Sequence, residues 1–73
     1  MENYYVSLVR GLQGYYVKFL ACNEEVVRGY CLQYMGKMWC SIYTESQINN
    51  FKFKCNIINE DKPITLGDSS DWD

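Results

Sequence analysis

The stretch NYYVSLVRGLQGYYVKFLAC, residues 3–22, decides the fold. Within it, residues 3–10 alternate between two sets of side chains, and residues 15–22 do the same, which is the period-2 pattern of β-strands. Gly11 and Gly14 are the first and last of the four residues between these runs and can adopt positive φ. Two alternating runs joined by such a turn predict an antiparallel β-hairpin.

A helix is predicted to follow the hairpin over residues 24–35. Asn23 is a good N-cap, and Glu24 and Glu25 place negative charge at the helix N-terminus, where the helix dipole favours it. Gly36 stands where a C-cap is expected. The side chains that recur at helical spacing, which we expect to be buried, are Val27, Tyr30, Cys31 and Tyr34, and Val26 flanks them.

Two further strands complete the predicted sheet. Residues 37–43 predict the third strand, and residues 51–58, FKFKCNII, show the clearest alternation and predict the fourth. Between them, Thr44 and Gln47 have the spacing of a capping box, which predicts a single helical turn over residues 45–49. The order indicates a two-layer α+β domain with an antiparallel or mixed sheet and one helix on one face. The other face is expected to be open to solvent or to a partner.

Charge divides the chain into two parts. Residues 1–59 carry six basic and four acidic side chains (+2), whereas residues 60–73 carry one basic and five acidic side chains (−4). We therefore expect a single domain over 1–59 and an acidic C-terminal tail over 60–73 that is partly disordered. Residues 64–66 are a candidate short edge strand.

The chain contains no histidine, the commonest general base and metal ligand. A cysteine nucleophile would therefore lack its usual base, and the sequence has neither a phosphate-binding glycine loop nor a dinucleotide fingerprint. We expect no enzymatic activity, no cofactor and no metal. The first residues lack the pattern of a signal peptide, and no apolar run approaches the ~20 residues that span a bilayer, so we expect a cytosolic protein.

Four cysteines lie at spacings without a C-x-x-C pair. We expect mainly free, buried thiols, with disulfides and a zinc site as the alternatives. The four positions are Cys22, Cys31, Cys40 and Cys55.

Aromatic side chains are in surplus, since seven Tyr, three Phe and two Trp exceed what so small a core can hide. Tyr and Lys side chains on the helix-free face fit either single-stranded nucleic acid or a solvated, protein-contacting face. Trp39 and Tyr43 of the third strand belong either to the core or to an exposed aromatic ridge, which a homodimer would cover. Trp72 is a candidate hot-spot residue by which the acidic tail would bind a partner. The alternatives are a tail that only increases solubility and a tail that lies across the basic face of its own domain. The candidate partner-binding residues are Tyr5, Tyr16, Lys18, Trp39, Tyr43, Lys52, Lys54, Asp68, Asp71, Trp72 and Asp73.

In size, simplicity and acidic character, the chain resembles the small standalone proteins by which bacteriophages inhibit host machinery, anti-CRISPR proteins among them. The resemblance implies a stoichiometric inhibitor that occludes a surface of a larger host complex, often one that handles nucleic acid. The sequence therefore predicts a non-enzymatic protein-binding module of this kind. The alternatives are a single-stranded nucleic-acid-binding domain and a structural homo-oligomer.

Overall fold

The computed structural model describes residues 1–9, 11, 14–52 and 54–67. These residues form a small α+β domain, which confirms the predicted fold class. The elements in chain order are β1 (Glu2–Leu8), β2 (Tyr15–Ala21), α1 (Glu24–Tyr30), a π-helical segment (Cys31–Met35), β3 (Trp39–Thr44), α2 (Glu45–Asn49), β4 (Asn56–Ile57) and β5 (Ile64–Thr65).

The five strands form one mixed sheet in the order β3-β1-β2-β4, and β5 also pairs with β2. β1 is antiparallel to both β2 and β3, which confirms the predicted hairpin. β4 and β5 are both parallel to β2 and share its outer edge. β4 pairs with Tyr15 and Tyr16, and β5 pairs with Phe19 and Leu20. The predicted edge strand near residues 64–66 is thus confirmed.

Only Asn56–Ile57 of the predicted fourth strand over residues 51–58 is a strand, so the prediction is wrong at the other described residues of that run, and Phe53 lies outside the described residues. β3 and β4 lie on opposite sides of the β1–β2 pair, so the chain must cross three strand spacings, about 14 Å, to pass from one to the other. The residues between Asn50 and Cys55 make this crossing, and Phe51 lies against the sheet as they do so. Their alternation therefore does not correspond to strand pairing.

α1 packs on one face of the sheet and closes the main core. Asn23 caps it as predicted, since its Oδ1 accepts from the Val26 N–H at 3.1 Å. The most deeply buried side chains of this core are Val6, Phe19, Val27 and Cys31. Leu66 is buried in the same core, and β5 belongs to the sheet, so the folded domain extends past the predicted boundary at Asn59. The predicted disorder beyond Gly67 falls on residues 68–73, outside the described residues.

The π-helical segment changes which side chains the helix buries. The Gly36 N–H donates to the Cys31 carbonyl at 3.1 Å, an i→i+5 bond that adds a residue to the turn, and Gly36 has φ +56°. Met35 consequently packs against the core, whereas Tyr34 is 56% exposed. The prediction that Tyr34 is buried is wrong because it assumed uninterrupted α-helical spacing.

A bulge in β3 likewise breaks the predicted alternation. Val6 pairs with Ile42 but Leu8 pairs with Trp39, so β3 has one extra residue at this point. The Ser7 hydroxyl accepts from the Ser41 N–H at 3.1 Å and donates to the Ser41 carbonyl at 3.4 Å, which fixes the bulge. Both Trp39 and Ile42 therefore pack on the α1 core.

The cysteines are all free, but only Cys31 is buried, while Cys22 and Cys40 are exposed and Cys55 is half-buried. The expectation of buried thiols thus applies fully to Cys31 alone. Its burial raises the pKa of the thiol from 9.0 to about 11.

A raised thiol pKa predicts that the protein loses stability at alkaline pH. The folded state favours protonated Cys31, so its contribution is fully present below pH 9 and is lost as the pH rises to about 11. The loss amounts to about 2–3 kcal/mol in the free energy of unfolding. About half of this loss, about 1.4 kcal/mol, develops between pH 8 and 10, and urea unfolding over that range should show it in the wild type and in Cys40→Ala, whose thiol is exposed. Cys31→Ala should lack it, and an undiminished decline in that variant would contradict the assignment.

Candidate functional site

The face opposite α1 is not the open aromatic surface that the sequence predicts. Tyr5 is 5% exposed and Tyr16 is 6% exposed, so the expectation of two exposed rings is wrong. Phe51, on the chain that crosses from β3 to β4, covers Tyr16, and the Lys18 side chain lies over the Tyr5 ring. The Phe51 ring lies 6.5 Å from that of Tyr16 and 5.1 Å from that of Tyr43, and the two tyrosine rings are 6.2 Å apart. These aromatic side chains form a second, smaller core.

The predicted basic residues lie around this second core. The Lys18 ammonium is 5.8 Å from the centroid of the Tyr5 ring, a cation–π contact. Lys52 and Lys54 are exposed on the crossing segment. The structure therefore brings Tyr5, Tyr16, Tyr43 and Lys18 together and places Trp39 on the opposite face. Asp68, Asp71, Trp72 and Asp73 lie outside the described residues.

The environment of Tyr16 is that of a structural phenol. Burial raises its pKa above the ordinary value, and the neighbouring Cys55 thiol adds to the effect through its charge and a hydrogen bond. The pKa of Tyr4 is raised in the same way by burial and by its bond to Glu2, whose carboxylate accepts from the Tyr4 hydroxyl at 3.0 Å. Burial thus favours the neutral form of both phenol groups, and the two buried rings stabilise the fold.

An apolar groove lies on the other face, between the helix and the β4–β5 edge. It encloses about 370 Å³, and most of the surface that it presents is apolar. β2 provides its floor, α1 and the π-helical segment provide one wall, and the chain from β4 to β5 provides the other. We call this the α1–β4 groove. Its lining residues are Val17, Phe19, Tyr30, Met35, Ile58, Asn59, Lys62 and Ile64.

Large apolar side chains border the groove in exposed positions. Ile58 is 59% exposed although it is fully apolar. On the opposite wall, the rings of Tyr30 and Tyr34 lie 4.8 Å apart, so the exposed Tyr34 extends the apolar surface beyond the groove. Single exposed apolar residues are ordinary, but a contiguous group around a concave apolar floor is typical of interaction sites.

Asn59 fixes the outer wall of the groove to the sheet. Its Oδ1 accepts from the Lys18 N–H at 2.7 Å, and its Nδ2 donates to the carbonyls of Lys18 at 2.9 Å and Lys62 at 3.3 Å. On either side, the Ile58 N–H donates to Tyr16 and the Leu66 N–H donates to Leu20. The Asn59 side chain thus occupies the gap between β4 and β5 and makes the bonds that a continuous strand would make there.

The sequence pattern does not indicate this groove. It predicts Tyr30 among the buried side chains of the helix and places Ile58 at the end of a long fourth strand. One signal was available: adjacent Ile57 and Ile58 cannot both face the same side of a strand, so one of them had to be exposed or lie at an interface.

The described residues contain no group of three or more His, Cys, Asp or Glu side chains placed to hold a metal ion. Within that same part of the chain, no helix is long and apolar enough to cross a membrane. Comparisons with protein-family models, with curated proteins and with solved structures found no match.

Proposed function

We propose that this chain is a non-enzymatic, cytosolic protein-binding module that binds a larger protein through the α1–β4 groove. The observation that carries the proposal is the exposed Ile58 opposite Tyr30 and Met35, above an apolar floor. Full burial of one large apolar side chain contributes about 1.5–3 kcal/mol, so a partner that inserts such a side chain gains binding free energy.

The buried aromatic cluster favours a protein partner over single-stranded nucleic acid. Nucleic-acid binders of this kind stack bases on exposed rings next to basic groups. Tyr5 and Tyr16 are buried and present almost no surface to a base. Lys52 and Lys54 remain exposed, but lysines without accompanying rings are equally typical of a solvated surface.

The edge of β3 favours a different protein as the partner over a homo-oligomer built on that strand. An unprotected edge presents a row of backbone donors and acceptors to a second copy. Here the Thr44 N–H is occupied by Gln47 Oε1 at 2.8 Å, within the predicted capping box. The bulge at Ser41 further interrupts the regular row of backbone groups.

More specifically, we propose that the chain is a phage-type inhibitor, similar in kind to anti-CRISPR proteins. Its partner would be a host complex that handles nucleic acid, and the chain would inhibit it by occluding a surface. The charge split supports this version, because acidic residues at the C-terminal end suit the basic grooves of such complexes. The groove would then hold an apolar side chain of the partner while the acidic residues meet its basic surface.

Ile58→Lys tests the proposed groove. We expect it to weaken partner binding at least tenfold, about 1.4 kcal/mol, because it places an ammonium at the groove wall. Leu32→Lys is the matched control, since Leu32 is 67% exposed and does not line the groove. Immobilised wild type and both variants would be compared for proteins retained from a bacterial lysate, after circular dichroism shows that all three are folded. A protein retained equally by all three would contradict the role of the groove.

A further inference from the structure

We propose that the α1–β4 groove is also the docking site for Trp72 of the same chain. The groove is open and apolar, and the described chain ends close to it. Ile64 lines the groove, Leu66 is buried in the core beneath it, and Gly67 is the last described residue. Residues 68–73, DSSDWD, therefore begin four residues after Ile64 in one wall of the groove.

The length of this segment suffices for the docking. Gly67 is three residues after Ile64 along the chain, a span of at most about 10 Å. Trp72 lies five residues beyond Gly67, and an extended chain of that length reaches about 17 Å. A tail that runs back beside β5 can thus bring the indole over the apolar floor.

The chemistry of the segment matches the groove. Trp72 is the one apolar side chain in DSSDWD, and its indole would exchange contact with water for contact with Tyr30 and the exposed Ile58. Asp71 and Asp73 flank it, and Lys62 is the one charged residue of the groove lining. When the indole occupies the groove, Asp71 and Asp73 therefore lie next to Lys62. This charge complementarity favours DSSDWD as the occupant over an uncharged apolar segment.

The docked tail would compete with a protein partner, and this consequence rests on the proposed function. A tethered occupant acts at a high effective concentration, of the order of millimolar for short linkers, without needing high intrinsic affinity. Trp72→Ala, which keeps the acidic residues that the proposed function assigns to the partner's basic surface, would then strengthen partner binding through the groove. The docking itself is measurable without any partner, so the two proposals fail separately.

Fluorescence of Trp72 tests the docking. Trp39→Phe leaves Trp72 as the only tryptophan, and its emission and quenching by acrylamide would be compared with those of the same chain in urea. We expect a blue-shifted emission and several-fold lower quenching in the folded protein. Ile58→Lys in this background should return both to the urea values, and Leu32→Lys should leave them unchanged.

Three results would overturn the inference. One is a Trp72 signal equal to that in urea, and another is a shielded signal that Ile58→Lys does not change. The third is shielding that disappears on dilution, because it would assign the groove to the tail of a second copy. If Trp39→Phe does not fold, the difference spectrum between the wild type and Trp72→Phe gives the same emission with Trp39 retained.

Discussion

Tyr16→Ala is expected to lower the free energy of unfolding by about 3–5 kcal/mol, the range for removing a large buried aromatic side chain. Tyr16 is 6% exposed and contacts Tyr43 and Phe51, so its removal opens a cavity beneath the crossing segment. A domain of this size has a total stability of only a few kcal/mol, and the variant should therefore be largely unfolded at 25 °C. Circular dichroism with urea titration measures the change.

Tyr15→Ala is the matched control, because it removes the same side chain from the adjacent residue. Tyr15 is 43% exposed, and we expect a loss below about 1 kcal/mol. Tyr16→Phe keeps the ring and should retain most of the stability. Equal losses for Tyr15→Ala and Tyr16→Ala would show that the second face of the sheet is not covered.

Asn59→Ala is expected to cost about 2–3 kcal/mol, because it removes three hydrogen bonds and leaves the backbone groups of Lys18 without their partner. The effect is large for a surface asparagine, whose substitution usually changes stability by less than about 0.5 kcal/mol. Asn59→Asp should not rescue the loss. A carboxylate can accept from the Lys18 N–H, but it cannot donate to the carbonyls of Lys18 and Lys62.

Asn56→Ala provides the comparison for Asn59, since Asn56 lies in β4 and is exposed. We expect it to be near neutral in urea unfolding. Hydrogen exchange of the Lys18 amide gives a local readout, and it should accelerate in Asn59→Ala but not in Asn56→Ala. Unchanged protection of that amide in Asn59→Ala would contradict the strand-like role of the side chain.

Local patterns predicted the parts of the fold that local interactions determine. The hairpin, the Asn23 cap and the capping box at Thr44 each depend on residues close in sequence, and each is present. The errors arise where tertiary constraints override the pattern. The sequence of residues 51–55 alternates like that of a strand, but the sheet order requires the chain to pass here from one edge of the sheet to the other. An extra residue in the β3 bulge brings Trp39 to the same face as Ile42, on the α1 core, and an extra residue in the π-helical turn leaves Tyr34 exposed.

The candidate site was less predictable than the fold. The sequence indicated an aromatic surplus but could not show which rings are covered, because Phe51 reaches Tyr16 only through the crossing segment. The groove depends on Asn59, which joins residues 41 positions apart in the chain. No periodicity or spacing shows such a contact, so the groove could be found only from the structure.

A photo-crosslinking residue at position 58 tests the central claim, that the α1–β4 groove is the binding surface. The same residue at position 52 is the comparison, because Lys52 is exposed and follows Phe51, whose ring packs on Tyr16 on the opposite face. We predict that a protein partner forms adducts with the chain substituted at Ile58 and not with the chain substituted at Lys52. Adducts at position 52 and none at position 58 would contradict the claim and place binding on the opposite face of the sheet.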